Sequence, residues 1–119
     1  MRSALTGLLL AGALLGSGGA AVAGSAQEAA AKACGRIVNP YEGTRYEGAD
    51  IRRIRTIGVS CRRARQVARG AHRKALGITP PPSGVRHFGW RGWRVTGDIR
   101  GASDRYLATR GEKRVRWLF

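Results

Sequence analysis

Acidic residues are scarce in this chain: 7 Asp and Glu stand against 22 Lys and Arg in 119 residues, giving a formal net charge of +15. The few carboxylates are scattered and form no pair of the kind that glycoside hydrolysis places across one bond. Cysteine is nearly absent too. Cys34 and Cys61 are the only two, 27 positions apart, without the Cys-x-x-Cys spacing or histidine cluster of a zinc or redox site. No serine sits in a Gly-x-Ser-x-Gly elbow and no Gly-x-x-x-x-Gly-Lys loop occurs, so neither a serine hydrolase nor a nucleotide-binding motif is written here. No cofactor is expected. After residue 23 no apolar run is long enough to span a bilayer.

What the chain does contain begins with a three-part leader. Arg2 supplies a positive start, Leu5 to Leu15 an apolar run, and Ala21-Val22-Ala23 the small residues that a signal peptidase reads. Residues 1–23 are therefore expected to be a signal peptide, with Gly24 to Ala26 offering a second cleavage position and an uncleaved anchor as the competing reading. Gly16, Ser17, Gly18 and Gly19 dilute the apolar run and favour cleavage. The expected location is extracellular. Cleavage after Ala23 leaves 96 residues with 21 basic and 7 acidic side chains, a net charge of +14.

A domain of that size benefits from a staple. In an exported chain the two cysteines meet an oxidising environment, so Cys34 and Cys61 are expected to pair. Residues 24–33 have no apolar anchor larger than Ala and suggest a flexible leader. From Cys34 to Asp50 turn formers dominate, with an internal echo in which Tyr41-Glu42-Gly43 recurs as Tyr46-Glu47-Gly48. This predicts two consecutive turns. Ile51, Ile54 and Ile57 among arginines suggest a strand, although a spacing of three departs from the strand period.

The clearest element is a helix. Ser60 is placed as its N-cap, Val59 and Ala64 as a flanking hydrophobic staple, and Cys61, Ala64, Ala68, Ala71 and Ala75 recur at spacings of three and four on one face. Arg62, Arg65, Arg69 and Arg73 fall away from that stripe. Gly77 is expected to close the helix in a left-handed cap, and Pro80-Pro81-Pro82 cannot continue it. Period two then takes over. Trp93, Val95 and Ile99 share one side of a strand, Tyr106 and Ala108 of the next, and Val115, Trp117 and Phe119 of the last, with a tight turn at Arg110-Gly111-Glu112. The expected fold is α+β: residues 34–119 as a single basic domain, in which one disulfide-tethered helix packs on a small antiparallel sheet.

At Val59-Ser60-Cys61-Arg62-Arg63-Ala64-Arg65-Gln66-Val67-Ala68 the chain resembles small secreted actinobacterial proteins of uncharacterised function that are built around a Val-Ser-Cys-x-x-Ala-x-x-Val-Ala helix start. Such proteins carry an earlier cysteine, matched by Cys34, and a second disulfide whose positions are occupied here by Val95 and Ala108. The resemblance spans about residues 34–119 and implies a fold and an exported location, without an activity.

Two function classes compete. Arg62, Arg65, Arg69 and Arg73, with Arg63 and Lys74, would make a basic helix face, while Arg91, Arg94, Arg114 and Arg116 would line strands beside Trp90, Trp93 and Trp117. Arginine interleaved with aromatics suits phosphate contact plus stacking, unless the tryptophans are core. The expected partners are anionic envelope or extracellular polymers or an acidic protein, with nucleic acid among the candidates. The alternative is a small hydrolase such as a ribonuclease, or a protein-binding inhibitor. A ribonuclease would draw on His87, set among Arg86, Phe88 and Trp90, since His72 lies one step off the alanine stripe and is expected at the surface or boundary.

Overall fold

A computed structural model of the protein describes residues 31–119. The signal peptide read over residues 1–23 lies outside them, as do residues 24–30 of the expected leader. Within the described residues the chain forms strand β1 (Lys32–Ala33), β2 (Arg52–Ile57), helix α1 (Cys61–Leu76), and strands β3 (Val85–Trp90), β4 (Trp93–Asp98), β5 (Arg105–Arg110) and β6 (Lys113–Leu118). The strands make one antiparallel sheet in the order β1-β2-β6-β5-β4-β3, and α1 covers one of its faces, in contact with β2, β3, β5 and β6. The expected α+β architecture is present, with Cys34 joined to Cys61 across a Cα separation of 5.2 Å.

Helix α1 starts where its sequence signals place it. The Ser60 side chain accepts a hydrogen bond from the Arg63 backbone N–H at 3.1 Å, satisfying one of the orphan donors of the first turn. Ala64, Val67, Ala68, Ala71 and Ala75 are buried, and their small side chains let the helix axis approach the sheet closely. Gly77 ends the helix, but its φ of −89° and ψ of −1° are right-handed, which corrects the expected left-handed cap. Its N–H still bonds the Lys74 carbonyl at 3.0 Å, and the following proline run blocks extension.

Beneath the helix the core is built from Trp93, Trp117, Ile51, Ile54, Val95 and Val115, with the Tyr106 and Trp117 rings stacked at a centroid distance of 5.3 Å. The isoleucine spacing of three has a backbone cause. Arg52 faces Leu118 and Arg55 faces Arg116, so three steps on β2 match two on β6. One extra residue forms a β-bulge, and both Ile51 and Ile54 remain in the core. The Tyr-Glu-Gly echo is a pair of turns in which Gly43 and Gly48 take φ of 80° and 91°, a region that glycine enters without a Cβ penalty.

Two elements differ from expectation. Lys32 and Ala33 pair with Thr56 and Arg55, so the last residues of the segment read as a leader form a strand. Val85–Trp90 is a full strand rather than a lead-in, making the meander four-stranded. Arg86 on that strand is buried and donates through Nη1 to the Ala75 carbonyl, where a cation complements the negative end of the helix dipole. A charged residue pointing inward hides the strand alternation.

Gly70 sits mid-helix, a position that ordinarily weakens a helix by about 1 kcal/mol relative to Ala. Here a Cβ would clash with the edge of the Trp90 indole at Cζ2. Gly70→Ala is therefore expected to lower stability by about 1–3 kcal/mol despite its better helix propensity. Thermal denaturation checks this, and Gly70→Ala combined with Trp90→Leu should recover part of the loss.

Candidate anion-binding face

Among the described residues α1 covers one face of the sheet and leaves the other open, and period-two alternation sorts side chains between them. Trp93, Val95, Tyr106, Ala108, Val115 and Trp117 are buried under the helix. Their neighbours point the other way. Arg53 and Arg55 on β2, Arg114 and Arg116 on β6, Arg105 on β5 and Arg94 on β4 occupy the open face. Registration sets Arg55 opposite Arg116, Arg116 opposite Leu107, Leu107 opposite Thr96 and Thr96 opposite His87, giving one row across five strands. In the next row Ile57, Arg114, Thr109 and Arg94 follow one another.

Only one acidic residue among the described residues lies on this face. Asp98 is gripped by Arg100, whose Nε and Nη2 each donate to its carboxylate at 2.9 Å. That pair of hydrogen bonds holds the Asp98 carboxyl at about 2, well below its ordinary value. The carboxylate is thus already matched by Arg100. A groove of about 610 Å³ opens on this face between β2 and β4, lined by Arg53, Arg55, Arg105 and Arg116, by Asp98, and by Leu107 and Leu118.

The sequence-named arginines separate into two layers. Arg62, Arg69 and Arg73 are exposed on the outer side of α1, whereas Arg65 is half-buried and donates to the Cys34 carbonyl at 3.0 Å, tying the helix to the segment before β2. Arg94, Arg114 and Arg116 lie on the open sheet face. Arg91 belongs to neither set. It occupies the β3–β4 turn with φ of 45°, its guanidinium 5.1 Å from the centre of the Trp90 ring. Arg53, Arg55 and Arg105 were not singled out from sequence, because the bulge disturbs the β2 period and Arg105 stands at a strand start.

The interleaving of arginine with tryptophan does not make a stacking surface. Trp93 and Trp117 are core residues, on the face of the sheet opposite Arg94 and Arg116, because adjacent positions of a strand point apart. The open face is basic and aliphatic.

The histidines part in the same way. His72 is fully buried, which corrects the expected surface or boundary position. Its Nδ1 lies 2.6 Å from the Tyr41 hydroxyl, its ring packs 4.1 Å from Phe119 and edge-on to Tyr106, and burial with the nearby Arg86 charge lowers its pKa to about 4. Helix periodicity alone placed it beside the stripe; the 40–48 turns, which carry Tyr41 over it, bury it. His87 is exposed on the open face, its Nδ1 3.3 Å from the Thr96 hydroxyl. With the sheet between them, His72 and His87 do not form an acid–base pair, and no carboxylate stands beside His87 among its hydrogen-bond partners. Among the described residues no group of His, Cys, Asp and Glu is arranged to hold a metal, and no helix is long and apolar enough to cross a membrane. Comparison of the chain with protein-family models, with curated proteins and with solved structures finds no match.

Proposed function

We propose that this is an exported, non-enzymatic protein that binds anionic polymers of the cell envelope or its surroundings on the open face of its sheet. The observation that carries the reading is the set of six arginines, Arg53, Arg55, Arg94, Arg105, Arg114 and Arg116, on a face that no described element covers and on which the one acid among the described residues, Asp98, is held by Arg100. Guanidinium groups present a planar fork suited to phosphate and carboxylate oxygens, and a sheet holds them at fixed spacing. The signal-like start of the sequence and the Cys34–Cys61 bridge support an extracellular setting, as does the resemblance of the Val59–Ala68 helix start to small secreted proteins.

Two charge-matched variants test it. Arg94→Glu with Arg114→Glu reverses two charges on the open sheet face; Arg62→Glu with Arg69→Glu reverses two on the outer helix. Net charge is the same in both, so a purely diffuse attraction would weaken both equally. The open-face variant is expected to lose about 10–100-fold in affinity for heparin or long-chain polyphosphate, and the helix variant less than threefold. For the native protein, four phosphate contacts to a flexible chain would give a slope of log affinity against log salt near −3. Equal losses in the two variants would remove the open face as the binding surface.

A further inference from the structure

Among the described residues, three other than glycine have positive φ: Asn39, Arg53 and Arg91. Asn39 is a residue type that tolerates this region, and its side chain accepts from the Gly48 N–H at 2.6 Å. Arg91 rests over Trp90 in a two-residue hairpin turn. Arg53 has neither excuse. At φ of 51° it occupies the extra position of the β2 bulge, where the left-handed conformation disfavours any residue with a Cβ. At seven other positive-φ positions the chain places glycine. The bulge therefore carries an arginine where the backbone alone would favour glycine.

The side chain is exposed and lines the open-face groove together with Arg55, Arg105 and the Arg100-held Asp98. Arg55 also donates through Nη2 to the Ala31 carbonyl at 3.2 Å, which fixes its place beside Arg53. The bulge thus directs an extra guanidinium to one end of one groove, where an anion would meet more than one of them.

Resting on the open-face reading above, we propose that Arg53 binds a phosphate group: the bulge holds its guanidinium at the groove so that, with Arg55 and Arg105, it seats one phosphate of the bound polymer. The shared chemistry is a phosphate, whether a link of a polymer backbone or a free oligophosphate. The site is a seat within the face, and a longer polymer seated there also meets Arg94 and Arg114.

Tripolyphosphate, titrated calorimetrically, is a suitable probe because it is too short to span the face. Arg53→Gly keeps the left-handed backbone available and removes the side chain. Arg62→Ala removes one equal charge from the outer helix. Arg53→Gly is expected to bind tripolyphosphate about tenfold more weakly with a melting temperature no lower than that of the native protein, and Arg62→Ala to bind within twofold of it. Equal weakening by both variants overturns the seat and leaves the diffuse open-face reading standing. Unchanged binding by Arg53→Gly also overturns it. If in addition Arg94→Glu with Arg114→Glu leaves heparin retention intact, the open-face reading falls with it.

Discussion

Replacement of Cys34 and Cys61 together by alanine is expected to destabilise the protein by roughly 3–4 kcal/mol, the chain-entropy value for releasing a loop of this length. The bridged positions are 27 residues apart and enclose both turns of the 40–48 segment and all of β2. Cys34 is already fixed by its N–H, which bonds the Ile54 carbonyl at 2.7 Å, and Cys61 is the first residue of α1. The covalent link therefore locks the relative placement of sheet and helix at the helix start. Without it the Arg65 bond to the Cys34 carbonyl remains the nearest tie, and it is a half-exposed single hydrogen bond. For a domain of this size the loss corresponds to a fall in melting temperature of about 15–25 °C. Calorimetry of the double variant, and of the native protein with reductant, measures it. A shift under 5 °C would mean that the packing of α1 alone holds the two layers.

The second large effect is a loss of stability in acid that begins near neutrality. His72 is buried and neutral, and its pKa is lowered from 6.5 to about 4, chiefly by burial and further by Arg86. Above pH 6.5 neither the folded nor the unfolded chain protonates this ring, so it makes no difference there. Below 6.5 the unfolded chain takes up a proton that the folded chain refuses until about pH 4. Stability therefore falls by about 1.4 kcal/mol per pH unit across that window. The accumulated loss at pH 4 is about 3 kcal/mol. Asp98, held below its unfolded value by Arg100, adds to the loss only at the foot of the range, and Asp104, whose carboxyl burial pushes up, acts in the opposite sense there. Chemical denaturation between pH 7 and pH 4 gives the slope. His72→Asn, which keeps a polar atom near the Tyr41 hydroxyl, should be less stable at pH 7 yet nearly flat down to pH 5. A wild-type slope retained in that variant would move the effect to other groups.

Much of the architecture was legible in local patterns. Ser60 and the alanine stripe define α1, and Trp93/Val95, Tyr106/Ala108 and Val115/Trp117 define three strands by alternation alone. The failures have separate causes. β3 was obscured by Arg86, a charge turned inward to meet the Ala75 carbonyl, an arrangement that only the folded chain creates. β2 was blurred by its bulge, which shifts the register by one residue. The burial of His72 depends on Tyr41, 31 residues away, a distance that no periodicity spans. For the candidate face, alternation was enough to find Arg94, Arg114 and Arg116, and the same alternation sends the neighbouring tryptophans to the other side. Arg53 and Arg105 needed the register of the sheet.

The position of β6 between β2 and β5 has a consequence for how the chain matures. Until Lys113–Leu118 is free to pair, β2 lacks its long neighbour and the β3–β5 meander ends in an exposed edge with Trp117 missing from beneath the helix. The two parts of the sheet therefore join only when Lys113–Leu118 slots between them, and its pairing with β2 closes a loop of more than fifty residues, so contacts of large sequence separation govern how fast this sheet completes.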